Sequence, residues 1–190
     1  MHTIKGLFFD LDGTLVDTIE ANVSAYMEAC KKIGISITRK QLTDAFGERM
    51  DVFMTRLYPD ISKEQLGQLR EYKAQLYPNY VHLNKPNTQL INFLRTLKQD
   101  HITALVTMAQ KQNAETVISN VGISEIFDYI ITGDQVVMAK PNPEAYLKAL
   151  ELSGLHSYEV LAFEDSISGI QAAKAAGIQV LKIKIPKYNI

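Results

Sequence analysis

Two segments far apart in the 190-residue chain each end an apolar run with a pair of acids. Near the N-terminus, Gly6-Leu7-Phe8-Phe9 runs into Asp10-Leu11-Asp12-Gly13-Thr14. In the last third, Val160-Leu161-Ala162-Phe163 runs into Glu164-Asp165-Ser166. Residues i and i+2 of a regular strand share a face. Asp10 and Asp12 at a strand's carboxyl end therefore both point into the crevice where open α/β sheets bind ligands. Two acids held together raise each other's pKa unless a cation lies between them. Taken alone, Asp12-Gly13 reads more simply as a turn that solvates a strand end. Ser166 as a helix cap, with an acid near the helix dipole, explains one of Glu164 and Asp165. It leaves the adjacent second acid unexplained. Acids at the ends of two different strands suit a hard cation, with carboxylates, a backbone carbonyl and water filling a near-octahedral Mg²⁺ shell.

Two residues between these segments bear on the same chemistry. Thr107 ends the run Ala104-Leu105-Val106 and precedes a helix expected from about Ala109. Its hydroxyl and the following amides suit an anion, although a threonine at a strand end is ordinary by itself. Lys140 lies in Met138-Ala139-Lys140-Pro141-Asn142-Pro143, where a solvated loop lysine is the plainer reading of the isolated residue.

The elements that must position these residues are legible as short apolar runs. Gly6–Phe9, Thr103–Thr107, Tyr129–Thr132, Val160–Phe163 and Gln179–Ile183 lack polar alternation, which predicts strands covered on both faces, as in a parallel sheet. Helical patterns over Asn87–Lys98, Gln110–Val121, Pro143–Leu152 and Ser166–Ala176 separate the later ones, the last stopping at Gly177. Strands alternating with helices predict a doubly wound α/β core. From Val16 to about His82 the rhythm breaks, with no strand pattern and with helices predicted over Ala21–Lys32, Lys40–Leu57 and Lys63–Tyr77. Pro59, Pro78 and Pro86 punctuate it. This segment reads as a helical insertion after the first strand, with linkers near Val16–Asp17 and His82–Pro86. The alternative is a single elaborated domain whose extra helices cover a sheet face.

Composition excludes several classes. With 46% hydrophobic and 22% charged residues the chain is neither disordered nor fibrous. A formal charge of −1 argues against a nucleic-acid or anionic-membrane surface. One cysteine, Cys30, rules out an internal disulfide and a Cys-based zinc site. His2, His82, His101 and His156 are dispersed without metal-ligand spacing. No run approaches the ~18 apolar residues of a membrane span, and the N-terminus reaches acidic and turn residues before a signal-like core forms. A cytoplasmic protein is expected. Oligomeric state is not legible.

In order, DLDGTLVDT, LVTM, AKPNPEAY and FEDSISGIQAAKAAG resemble the four motifs of the haloacid dehalogenase-like hydrolase superfamily. The branch is the one with a helical cap, which includes phosphoglycolate phosphatases and β-phosphoglucomutases. The resemblance spans nearly the whole chain. It implies a Rossmann-like core over 1–16 and 83–190 and a small helical cap over 17–82. It implies a Mg²⁺-dependent phosphatase that hydrolyses a small phosphorylated metabolite through an aspartyl phosphate. Asp10 is then the nucleophile, and Asp12 protonates the leaving oxygen and later activates water. Thr107, Met108 and Lys140 hold phosphoryl oxygens. The metal lies on the Asp10 carboxylate, the Asp12 main-chain carbonyl and Asp165, with Glu164 nearby.

The runner-up is a β-phosphoglucomutase-like sugar phosphomutase. Asn22 stands where the mutase pattern has histidine, and Arg49 lies off the mutase register. Both departures favour hydrolysis. A phospho-receiver module also combines acids, Thr and Lys around Mg²⁺, but it places the accepting Asp mid-chain and lacks an insertion of this size.

Overall fold

All five apolar runs form strands of one parallel sheet. The computed structural model describes residues 3–185, which leaves His2 outside it. The strands are β1 (Gly6–Phe9), β4 (Ile102–Val106), β5 (Tyr129–Ile131), β6 (Val160–Glu164) and β7 (Gln179–Lys182). Their order is β5-β4-β1-β6-β7, and every neighbouring pair is parallel. The first strand is central and the chain winds outward to each side of it. That reversal of direction is the switch point at which doubly wound sheets open a ligand crevice beyond the strands' carboxyl ends.

Helices α5 (Thr88–Leu97), α6 (Lys111–Asn120), α7 (Glu144–Ser153) and α8 (Ile167–Ala175) connect these strands. Phe8, Ala104, Val106, Ile131, Tyr146, Ala149, Val160, Ala162, Ala172 and Ala173 form a contiguous buried core. Phe8 has no exposed surface, and burying such a side chain contributes roughly 1.5–3 kcal/mol. Alanines on α7 and α8 bring those helices close to the sheet. Gly177, at φ +78°, ends the turn after α8 in the left-handed conformation that glycine adopts without strain.

The chain divides into two compact units, Met1–Asp17 with Lys85–Ile190, and Thr18–Asn84. Where it leaves and re-enters the first unit, β2 (Val16–Asp17) and β3 (Lys85–Pro86) pair antiparallel. Two residues each give no periodicity, so the expectation of strandless linkers misses this pair.

The second unit is helical: α1 (Ile19–Lys32), α2 (Arg39–Asp44), α3 (Met50–Leu57) and α4 (Lys63–Leu76), followed by a 3₁₀ segment over Tyr77–Leu83. The single helix predicted over Lys40–Leu57 is in fact two. Gly47 stands between them at φ +89°, a conformation a helix interior does not contain. Thr38 with Gln41, and Ser62 with Gln65, form reciprocal capping boxes that start α2 and α4. Val23, Cys30, Leu42, Phe53, Met54 and Leu69 fill the core of this unit. Cys30 is fully buried in this core and burial pushes its thiol up to about 11, which favours packing over a nucleophilic role. Among the described residues, no helix is long and apolar enough to cross a membrane.

Candidate active site

The sheet register decides which residues emerge together. Phe9 lies opposite both Leu105 and Phe163, so Asp10, the residue after β1, comes level with Val106 and Glu164 at the ends of β4 and β6. The Asp10 N–H donates to the Phe163 carbonyl at 3.0 Å. Beneath it the Phe9 and Phe163 rings stack with centroids 4.3 Å apart.

Asp12 does not arrive by strand alternation. β1 stops at Phe9, and the Leu11 carbonyl then accepts from the N–H groups of Thr14, Leu15 and Val16 at 3.3, 3.0 and 3.0 Å. The tight turn has Gly13 at φ +91°, where an added Cβ would strike the Asp165 carboxylate. Glycine is therefore required there by both backbone and space. The Thr14 hydroxyl donates to Asp165 Oδ1 at 3.2 Å. Asn87 fixes the same turn, its side-chain amide donating to the Thr14 carbonyl at 3.2 Å.

Thr107 meets Asp12 across the crevice. Its hydroxyl donates to Asp12 Oδ2 at 3.4 Å and accepts the Ala109 N–H at 3.0 Å. Helix α6 starts at Lys111 rather than near Ala109, so this bond closes a turn ahead of the helix. The Met108 side chain packs against the core, which leaves its main chain as the part available to a ligand. Gly133 keeps that loop in place. Its N–H donates to the Ala109 carbonyl at 2.9 Å, and a Cβ there would collide with the Met108 backbone.

Lys140 is not a solvated loop residue. Its side chain is 4% exposed, and its ammonium donates to Asp10 Oδ1 at 2.9 Å, the Val106 carbonyl at 2.8 Å and Glu164 Oε1 at 2.6 Å. Burial alone would drive its pKa down, but Asp10 and Glu164 outweigh that and hold it above the usual lysine value. Burial, then the charge of Glu164, pushes Asp10 well above the ordinary carboxylate range, against the pull of Lys140. Burial and Glu164 likewise raise Asp165. Carboxylate oxygens of Asp10, Glu164 and Asp165 lie within 4.8 Å of one another. One ammonium faces three carboxylates. Such a donor set fits a divalent cation, which takes oxygen ligands and would relieve the excess negative charge. The Asp12 carboxylate is outside that group of three.

The family described as haloacid dehalogenase-like hydrolase matches residues 7–183. This chain belongs to that family. It is 32% identical over 189 residues to a phosphoglycolate phosphatase of Vibrio cholerae, covering 93% of this chain and 83% of that protein. It is 29% identical over 181 residues to a phosphorylated carbohydrates phosphatase of Thermotoga maritima, covering 93% and 83%. The fold superposes on CbbY from Rhodobacter sphaeroides, solved in complex with phosphate, with a TM-score of 0.86 at 23% identity, covering 99% of this chain and 90% of that one.

In this haloacid dehalogenase-like hydrolase, two residues that sequence reasoning passed over hold the site together. Glu144, at the start of α7, accepts the N–H groups of Val137 and Met138 at 2.8 and 2.6 Å. Those two backbone bonds lower its pKa and shape the loop that carries Lys140. Tyr146, two residues further along α7 and fully buried, donates to Glu164 Oε1 at 2.8 Å. Both lie in the quoted AKPNPEAY segment. An acid at a helix N-terminus and a tyrosine on a core-facing stripe have such common structural roles that neither stood out.

Glu164 itself has no exposed surface and accepts from Lys140, Tyr146 and, at 3.3 Å, Ser166. A Cβ on Gly169 would collide with its carboxylate. In the helical unit, the Asn22 amide donates to the Thr18 carbonyl at 3.1 Å. Arg49 makes a two-point pair with Asp51 at 2.6 and 2.8 Å.

Proposed function

We propose that this chain is a Mg²⁺-dependent phosphatase that hydrolyses a small phosphorylated metabolite through an aspartyl phosphate on Asp10. The observation that carries the reading is the buried arrangement of Asp10 between Lys140 and the Glu164–Asp165 pair. The Asp10 carboxylate attacks phosphorus, and Asp12 protonates the departing alkoxide. Asp12 then takes a proton from the water that cleaves the acyl phosphate. Thr107, the Met108 main chain and Lys140 hold the phosphoryl oxygens and stabilise the charge spread over them, which is most of what phosphoryl transfer requires. Asp10, Asp165 and the Asp12 carbonyl are the residues that would hold Mg²⁺, with Glu164 behind them. The cation supplies charge neutralisation that lets a carboxylate approach an anionic ester.

The Thr18–Asn84 unit is assigned the role of a cap that excludes water during turnover. Hydrolysis is preferred over transfer to a second sugar hydroxyl. Asn22 stands in place of the mutase histidine, its amide engaged by the Thr18 carbonyl, and Arg49, off the mutase register, pairs with Asp51. The similarity to phosphatases named for phosphoglycolate and for phosphorylated carbohydrates supports the substrate class.

The test is release of inorganic phosphate from p-nitrophenyl phosphate and from a panel of phosphorylated metabolites, with and without EDTA. Turnover should require added Mg²⁺ and collapse on chelation. Full activity after exhaustive chelation contradicts the metal assignment. Rapid conversion of β-glucose 1-phosphate to glucose 6-phosphate without phosphate release contradicts hydrolysis.

A further inference from the structure

An ammonium has three N–H donors, and Lys140 uses all three within the protein: Asp10 Oδ1, the Val106 carbonyl and Glu164 Oε1. If Lys140 is to hold a phosphoryl oxygen, one of these bonds must be released. A buried acceptor left without a donor costs the full desolvation of that group, so the bond released with least penalty is the one whose acceptor retains another partner. Glu164 Oε1 has one. The Tyr146 hydroxyl donates to the same oxygen at 2.8 Å, and Ser166 donates to the other oxygen at 3.3 Å.

Tyr146 cannot follow the ammonium. Its ring is fully buried in the core beneath α7, 5.2 Å from the Lys140 nitrogen. Gly169 leaves Glu164 no room to retreat toward α8 without meeting backbone. The carboxylate stays where it is, and its other partners stay with it.

We propose that Tyr146 is a positioning residue: its hydroxyl keeps Glu164 satisfied so that Lys140 can turn from Glu164 to the phosphoryl group. The proposal rests on the assignment of Lys140 as a phosphoryl ligand. Without the hydroxyl, Oε1 depends on Lys140 alone, and the ammonium is retained by Glu164 in competition with the incoming phosphoryl oxygen. The ring itself packs as before in Tyr146→Phe, and Glu164 keeps Lys140 and Ser166 in the free protein, so the variant still folds at the cost of one buried hydrogen bond.

The experiment has two arms, both with Mg²⁺ and inorganic phosphate as the probe. In the first, calorimetric titration of Y146F should give a phosphate Kd weaker by about fivefold, the size of one modest hydrogen bond, in a variant that stays folded with a melting temperature only a few degrees lower. KM for p-nitrophenyl phosphate should rise accordingly while kcat changes little. A folded Y146F that binds phosphate as the wild type does overturns the proposal. In the second, a crystal structure of the wild-type protein with phosphate reads the exchange directly and does not depend on any variant folding. Lys140 Nζ should contact phosphate and lie beyond hydrogen-bond distance of Glu164, while the Tyr146–Glu164 bond persists. Phosphate bound to a Lys140 that still holds Glu164 overturns the exchange and leaves the phosphatase reading intact. Phosphate that never touches Lys140 overturns both.

Discussion

The two units of this chain differ in where they concentrate charge. In the sheet unit, an ammonium and three carboxylates crowd one crevice, and Lys140 and Glu164 show 4% and no side-chain exposure. In the helical unit the ion pairs Arg39–Glu20, Lys40–Asp44 and Arg56–Glu48 are exposed, around a core of apolar side chains. Exposed pairs contribute about 0–1 kcal/mol, whereas breaking a buried pair leaves a charge that nothing solvates. The difference supports the site proposed in the sheet unit. Desolvated charge is a burden that stability alone does not require. The helical unit buries Lys73, with its ammonium over the Tyr26 and Tyr77 rings, whereas several charges of both signs gather at the carboxyl ends of three central strands.

The largest expected effect follows from the crevice itself. Asp10→Asn is nearly isosteric and removes the proposed nucleophile, so turnover should fall by more than about 10³-fold. Its thermal melt should be no lower than the wild type's, because one of three crowded carboxylates is gone while Lys140 keeps Glu164. A variant that keeps a tenth of wild-type kcat places the nucleophile elsewhere.

Lysines sharpen the contrast in stability. Lys140→Met strands Glu164 beside Asp10 and should cost about 3–5 kcal/mol, a drop of roughly 6–20 °C for a chain of this size. Lys40→Met, on an exposed i,i+4 pair, should change stability by no more than about 0.5 kcal/mol. Equal losses by chemical denaturation would erase the distinction between the two units.

Much of the core was legible because buried parallel strands leave an unmistakable trace. Leu7–Phe9 and Ala104–Val106 are apolar without alternation, and each is followed by a polar residue that ends in the crevice. Asp10, Thr107, Lys140 and Asp165 stood out because their types suit phosphate and a hard cation. The strand-alternation argument for Asp12 does not hold, since a turn delivers it, as the plainer reading of Asp12-Gly13 has it. Tyr146 was invisible because its ring does serve the core, and only its hydroxyl reaches Glu164. Gly47 splits a predicted helix, and β2 with β3 is held by register over two residues, too few to leave a period.

Two helical glycines give opposite signs. Gly169 in α8 has no room for a Cβ because the Glu164 carboxylate occupies that space, while Gly67 in α4 has nothing within 4 Å. Gly169→Ala should destabilise by about 1–3 kcal/mol and depress activity through Glu164. Gly67→Ala should stabilise by about 0.5–1 kcal/mol. Urea melts of the two variants check both signs.

The smallest effect is at acid pH. Burial alone would raise Asp128, but the Lys98 ammonium and the Thr103 N–H and hydroxyl hold it below its usual value. A folded-state value below the unfolded one means that Asp128 stabilises the fold above about pH 4. That contribution fades as pH falls through the folded value. The difference in melting temperature between wild type and Asp128→Asn should therefore be present at pH 7 and shrink at pH 3. A gap that widens on acidification reverses the sign.

The most direct test of the central claim is to trap the phosphoryl group. The enzyme is mixed with Mg²⁺ and a turned-over phosphomonoester, quenched in acid during steady state, digested and analysed by mass spectrometry. The account predicts one added phosphoryl group on the peptide that carries Asp10, and none in Asp10→Asn. Active enzyme whose quenched peptides carry the group on another residue would contradict it.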